Sequence, residues 1–379
     1  MKKRKNIFQS LWDLVRLRII DRYIIGKFLK TYAFAIAMIV VIVVIFDAAE
    51  KIDNFLQSEA TIKDILLGYY LNFIPYFINQ FSGLFTFIAV IFFTSKMAYN
   101  TEIIAILSSG VGFRRLMYPY FISSLLITAL SLALNLFIIP EANAKRIEFD
   151  RTFMTMKKKN TMTYDRYIYR QVEPNTFAFI RDFADKGKKA GYFTLETYSE
   201  GKIVTSLQAQ NAFYNEETNS WGAPRYTHRT FNEDGSDSLF KSKVPLDTII
   251  NLTPQELGKV EDLVQTMNIN ELDEFIAAQE AKGSDMVSIF EVEAHSRYAY
   301  PFSTFVLTLI GVSLSSRKVR GGTGFHIGVG IALCFSYIVL MRFASEFAKS
   351  GSLPSEIAVW APNIIYLFIG IYLYVKAPK

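Results

Sequence analysis

One carboxylate stands alone between residues 96 and 115. Glu102 shares that stretch with Lys96, Arg114 and Arg115, so its charge is set against a positive background and suits contact with a basic surface. Four cations, Lys51, Lys145, Arg146 and Arg151, flank the apolar runs, where long basic side chains commonly anchor helix ends. Groups for bond-making chemistry are not assembled. There is no GxxxxGK[ST] loop to cradle phosphates, no GxSxG elbow and no HExxH pair. His228, His295 and His326 fall in a strand, at a membrane edge and in a span, without metal-ligand spacing, and read as structural. Gly321-Gly322-Thr323-Gly324 reads as a flexible hairpin, and the single Cys334 rules out an intramolecular disulfide. Intramembrane catalysis would need polar side chains converging at mid-bilayer, and apolar segments one, three and six promise little of this. Neither catalysis nor a cofactor or metal is expected.

The element that must present Glu102 is a short helix over 101–110. Thr101 is its expected N-cap, and Glu102 sits in the first turn, where unpaired N–H groups favour a carboxylate. Ile103, Ile106 and Leu107 fall on one face, and Gly110 can take the left-handed conformation that closes the helix. A short amphipathic helix between two spans is either a plain linker or a docking element.

Composition frames these residues. Of 379 residues 51% are hydrophobic and 20% charged, too apolar for a soluble protein and too charged for a bare membrane bundle, so a lipid-embedded part and a soluble part are expected. The net charge of +6 does not imply nucleic acid, because much of the basic excess flanks membrane segments. The start of the chain is basic and amphipathic to about residue 30 and reads as an interfacial helix that turns into the bilayer, not as a cleaved leader. Uncharged runs at 31–46, 65–95, 116–140, 298–316, 321–341 and 357–375 predict six spans. The second is either one tilted span or a span plus an interfacial turn, kinked near Pro75, and the third ends at Pro140.

From 141 to 252 the pattern changes to alternation. Strands are predicted at 164–171, 176–183, 191–198, 202–214, 224–231 and 238–245, with connections at 215–219 and 232–235, as a jelly roll, sandwich or partial barrel. A helical connector follows over 253–297, with a start at Thr253-Pro254, a second near Asn270 and a stop at Gly283. The fold class is thus an α-helical membrane protein with six transmembrane helices and an extracytoplasmic all-β, jellyroll-like domain. Its divisions are 1–140, 141–252, 253–297 and 298–379. Basic residues at the N-terminus, in 96–115, at 317–320 and in the tail put those loops and both termini in the cytoplasm and the β domain outside it.

Three stretches then carry a resemblance. Asp21-Arg22-Tyr23, the run from Asn100 through Glu102 to Gly110-Val111, and Glu293-Ala294-His295-Ser296-Arg297 leading to Pro301 resemble the LptF/LptG permeases of lipopolysaccharide export. The order of spans and the placement of the β domain look like that family too. The resemblance implies a permease subunit of an ABC transporter in the inner membrane of a Gram-negative bacterium. Its partners would be a cytoplasmic ABC ATPase dimer (LptB-like), a second LptF/LptG-type permease and an LptC-like bridge protein. Such a complex extracts lipopolysaccharide from the membrane and passes it along β-jellyroll domains.

By the same resemblance the 101–110 helix is the coupling helix. Glu102 then occupies the place of the ATPase-contacting acid, with Ile103, Ile106, Leu107 and Gly110 completing the element. In the family, basic side chains near the outer end of the first span contact the lipid's phosphates. Here that region offers Lys51 among Asp47, Glu50 and Asp53, and Lys145, Arg146 and Arg151 form a second candidate cluster, with interfacial anchoring as the other reading of all four. Two competing functions remain: a permease of another envelope lipid or lipoprotein system, and a non-transporting membrane scaffold with a β domain.

Overall fold

The computed structural model describes residues 17–154, 167–184, 188–232, 234–242, 244–257, 260–284, 286–316 and 322–377. The start of the basic N-terminal segment, strand positions 164–166 and the basic loop at 317–320 lie outside them. Among the described residues six helices are long and apolar enough to cross a membrane. An eight-stranded antiparallel sheet is inserted between the third and fourth of them.

Helix α1 (Ile19–Gln57) takes up the end of the basic segment and the first apolar run in one piece of 39 residues. Among the described residues, therefore, no turn near residue 30 separates an interfacial helix from the span. Gly26 is the only helix-weakening residue in the join, and one glycine costs about 1 kcal/mol, too little to break a helix that buries Ile24 and Phe28 completely. Beyond Ala35 the helix is sparsely covered, and Phe34, Met38, Val41, Ile45 and Phe46 stand exposed.

The run 65–95 is neither one regular span nor a span with a surface turn. A turn at Ile62–Asp64 leads into a π-helical stretch, Ile65–Tyr70, then α2 (Leu71–Gln80), a break at Phe81 and α3 (Ser82–Tyr99). Asn72 donates to the carbonyls of Leu67 (3.0 Å) and Gly68 (2.8 Å), covering the wide turn that precedes Pro75.

Helix α4 (Glu102–Ser108) and α5 (Phe113–Ala133) follow. The third span was expected to stop at Pro140; instead the chain stays helical through α6 (Ile139–Phe149) to Met154. A π-helical stretch at Leu134–Ile138 precedes the proline and widens the backbone where its ring would otherwise clash with the preceding turn.

The sheet comprises β1 (Tyr167–Glu173), β2 (Thr176–Ala184), β3 (Lys189–Ser199), β4 (Lys202–Asn215), β5 (Ser220–Ala223), β6 (Tyr226–Phe231), β7 (Asp237–Ser242) and β8 (Leu246–Thr248). Strands β1 to β4 form a meander, with Phe179 opposite Tyr169 and Thr194. Strand β4 then divides its far edge: Thr205–Ala209 pairs with β6, and Phe213–Asn215 pairs with β5, which pairs with β8. The predicted strand at 224–231 begins late because Trp221 and its neighbours form the separate β5. One sheet face packs Ile168, Ala178, Ile180 and Phe193 around Trp221, whose indole N–H donates to the Leu252 carbonyl at 2.8 Å.

The connector holds a 3-10 turn at Pro254–Leu257, then α7 (Val260–Thr266) and α8 (Ile269–Lys282). Asn268 and Glu271 cap α8 reciprocally, and Gly283 ends it at φ 72°. Helices α9 (Val287–Ser315), α10 (Gly322–Lys349) and α11 (Ser355–Val375) complete the bundle.

The bundle interior is more polar than expected. Ser123, Ser124, Thr128, Ser131 and Asn135 of the third span and Asn363 of the sixth are buried. Isolated among apolar neighbours in the sequence, they gained no weight there; in the fold Ser123 and Ser124 bond carbonyls of their own helix, and others meet partners on other helices. Ser131 donates to Asn79 (2.5 Å), Asn135 to the Arg297 carbonyl (3.0 Å), and Asn363 to the Ala299 carbonyl (2.9 Å).

Candidate functional site

The short helix α4 is docked against the bundle, not hung from it. Ile103 is fully buried in the cluster formed by α1, α3 and α5, and Ile106 and Leu107 pack against that cluster. The predicted apolar face thus turns inward. What α4 offers outward is Ile104, Ala105, Ser108 and Ser109. Gly110 follows at φ 85° with open space around its missing Cβ.

Thr101 is not the expected side-chain cap. It sits at φ 63°, and its hydroxyl donates to the Asn100 carbonyl at 2.6 Å. The tight reversal out of α3 requires this left-handed residue, which takes its hydroxyl away from the first turn.

Glu102 does not stand free either. The Tyr23 hydroxyl donates to Oε2 at 2.8 Å, Lys27 Nζ lies 3.7 Å from the same oxygen, and Asn100 Nδ2 donates to Oε1 at 3.3 Å. The Lys27 ammonium also covers the Tyr23 ring. Beside this contact the buried Asp21 accepts both arms of Arg115, at 2.8 and 2.5 Å, and the Arg18 N–H at 2.7 Å. The first turns of α1 therefore clamp both ends of the 96–115 hairpin. Sequence spacing could not reveal this, because Asp21 and Arg115 lie 94 positions apart.

At the opposite end of the bundle the four candidate cations separate. Lys51 Nζ donates to Asp47 at 2.8 Å and also bonds the Tyr69 hydroxyl. Arg146 lies over the Tyr76 ring, and Asp150 feels Arg146, Lys51 and Asp47 together. Lys51 and Arg146 thus belong to one partly buried charge network. Lys145 points elsewhere, paired to Glu141 at 2.7 Å on an exposed face, and Arg151 is exposed.

The Glu293–Arg297 motif has a visible structural part. Arg297 is buried on α9, its Nη2 donates to the Val264 carbonyl of α7 at 3.0 Å, and its Nε lies 3.5 Å from Glu293. Asn143 of α6 donates to the adjacent Gln265 carbonyl at 3.4 Å. These contacts tie the connector to the bundle around a polar cavity of about 120 Å³ reached by Asn79, Asn135 and Arg342.

The β domain presents a second face opposite its core. Phe177 and Phe179 point away from Ala178 and Ile180 and are half-buried, as strand alternation requires. Phe179 meets Tyr169 at 4.6 Å and Tyr167 at 6.1 Å, and Phe177 meets Tyr198 at 5.7 Å. Among the described residues no cluster of His, Cys, Asp or Glu is placed to hold a metal ion.

A six-helix bundle with an inserted sheet at one end and a clamped helical hairpin at the other is the architecture of a polytopic membrane protein. Residues 22–376 match the family model described as lipopolysaccharide export system permease LptF/LptG, and the chain belongs to that family. It is also similar to the lipopolysaccharide export system permease protein LptG of Haemophilus influenzae, with 23% identity over 192 residues. That similarity spans 50% of this chain and about half, 53%, of the relative.

Proposed function

We propose that this chain is the permease subunit of an ATP-driven transporter that extracts lipopolysaccharide from the inner membrane and passes it to a periplasmic bridge. Family membership supports the transport reading. The observation that carries the coupling part is the docked α4, whose inner face is locked to α1, α3 and α5 while Ile104, Ala105 and Ser108 remain outward. A force applied there by a separate cytoplasmic ATPase dimer would reach α1 through Glu102–Tyr23 and Asp21–Arg115 without loss in a flexible loop.

Glu102 has a double part in this reading, holding the hairpin on α1 and leaving its partly exposed carboxylate for the ATPase rim. Helices α1 and α10 are thinly covered along their apolar windows, in keeping with a cavity completed by a second LptF/LptG-type permease. The Phe177–Phe179 aromatic face is the proposed acyl-chain path through the periplasmic sheet toward an LptC-like partner. Lys51 and Arg146 are the proposed headgroup contacts nearest the bundle, with Lys145 and Arg151 outside them. The basic hairpin faces the cytoplasm in this arrangement.

The test is mass spectrometry of the intact, gently purified complex, reading subunits and bound lipid together. An ATPase pair, two permease chains and retained lipopolysaccharide are expected. A chain that co-purifies with no ATPase would remove the transport reading in favour of a scaffold.

A further inference from the structure

Helices α5 and α11 both pack on α9, and between them lies an open groove of about 1120 Å³. Its walls are almost wholly apolar: Met117 and Phe121 on α5, Phe302, Phe305 and Leu309 on α9, and Leu367 on α11. Phe121 on Phe305 (5.5 Å) and Phe113 on Tyr374 (5.7 Å) brace the walls. The groove opens at the hairpin end of the bundle, where Arg18, Arg114 and Arg115 line its mouth.

The charges at that mouth are unequal. Arg115 is consumed by Asp21, whose carboxylate also accepts the Arg18 backbone N–H. The side chains of Arg18 and Arg114 are exposed and have no carboxylate partner among the described residues. Length gives a second constraint. From Arg114 to Ser124 is ten helical residues, about 15 Å at 1.5 Å per residue, half of a hydrocarbon core of about 30 Å. The groove therefore runs from a membrane surface to the bilayer midplane, one leaflet deep.

We propose that this groove is a binding site for one anionic diacyl phospholipid of the leaflet on the hairpin side. The phosphate is held by Arg18 and Arg114 through charge-assisted hydrogen bonds, and the acyl chains lie along Phe121, Phe305 and Leu309. Bulk lipid would cover an apolar wall without regard to headgroup; two uncompensated guanidinium groups at the mouth select a negative one. The site lies against the hairpin clamp, so an occupant would brace α5 where Arg115 grips α1. This inference stands apart from the transport reading, since it requires neither an ATPase nor lipopolysaccharide.

The test is native mass spectrometry of the detergent-purified full-length chain, titrated with phosphatidylglycerol or phosphatidylethanolamine of identical acyl chains. One phosphatidylglycerol is expected to bind about tenfold more tightly than phosphatidylethanolamine, a difference that two charge-assisted contacts readily supply. Arg18→Gln/Arg114→Gln should abolish the preference, whereas Lys202→Gln/Lys241→Gln, on exposed positions of the sheet, should keep it. Equal binding of the two lipids to the wild-type chain would overturn the proposal without any variant. So would an unchanged preference in the folded Arg18→Gln/Arg114→Gln protein.

Discussion

The guanidinium of Arg115 forks across the carboxylate of Asp21, at 2.8 and 2.5 Å, and fastens the start of α5 to the start of α1. Asp21 is fully buried and Arg115 is not, so the pair has a vulnerable side. Its removal from either end is not equivalent.

Arg115→Leu should destabilise the protein by about 3–5 kcal/mol, because it strands a buried carboxylate with only one backbone N–H. Asp21→Leu/Arg115→Leu should recover most of that loss, since no unpaired charge then remains. Thermal unfolding in detergent, followed by circular dichroism, reads the difference. A double variant as unstable as Arg115→Leu would show that the pair is not the clamp.

Gly110 isolates a backbone effect. Nothing lies within 4 Å of the position a Cβ would take, yet φ is 85°. Gly110→Ala should therefore cost about 1–2 kcal/mol through conformation alone, and Gly110→Asn less. If Gly110→Ala and Gly110→Asn melt alike, the left-handed conformation is not what the glycine supplies.

The cations at the β-domain end should divide by burial. Lys145→Gln should change stability by less than about 0.5 kcal/mol, as the Glu141 pair is exposed. Arg146→Gln should cost more, because Arg146 offsets Asp150 inside the network shared with Lys51. If both are headgroup contacts, each should also weaken lipopolysaccharide capture. Equal melting of the two variants would contradict the division.

Much of this arrangement was legible in the sequence, and the illegible remainder has a common cause. Uncharged runs and alternation located the spans and most strands because burial acts on each residue locally. The close of α4 was foreseen through Gly110, whose conformational freedom is intrinsic. What could not be read was long-range pairing: Tyr23 and Lys27 on Glu102, Arg115 on Asp21, and Arg297 on Val264. Pro140 misled for a related reason, because the π-helical stretch that accommodates it has no local signature. Ser131 and Asn135 of the third span looked incidental until other helices supplied their partners.

Helix α4 and the sheet lie at opposite ends of α5, which the six-span reading puts on opposite sides of the membrane. Cysteines introduced singly at Asn219 and at Ser109, both exposed, should react with an impermeant maleimide from opposite sides of the membrane, Asn219 from the periplasm. The native Cys334 is buried and should stay silent. Reaction of both from one side would overturn the six-span arrangement.

The central claim is energy-driven passage of lipopolysaccharide over the sheet. Its most direct test is a photo-crosslinking amino acid at Phe179, on the aromatic face, in the complete complex reconstituted in proteoliposomes with lipopolysaccharide. The account predicts capture that rises several-fold on adding ATP and falls back when hydrolysis is blocked. Equal capture with and without ATP would contradict it.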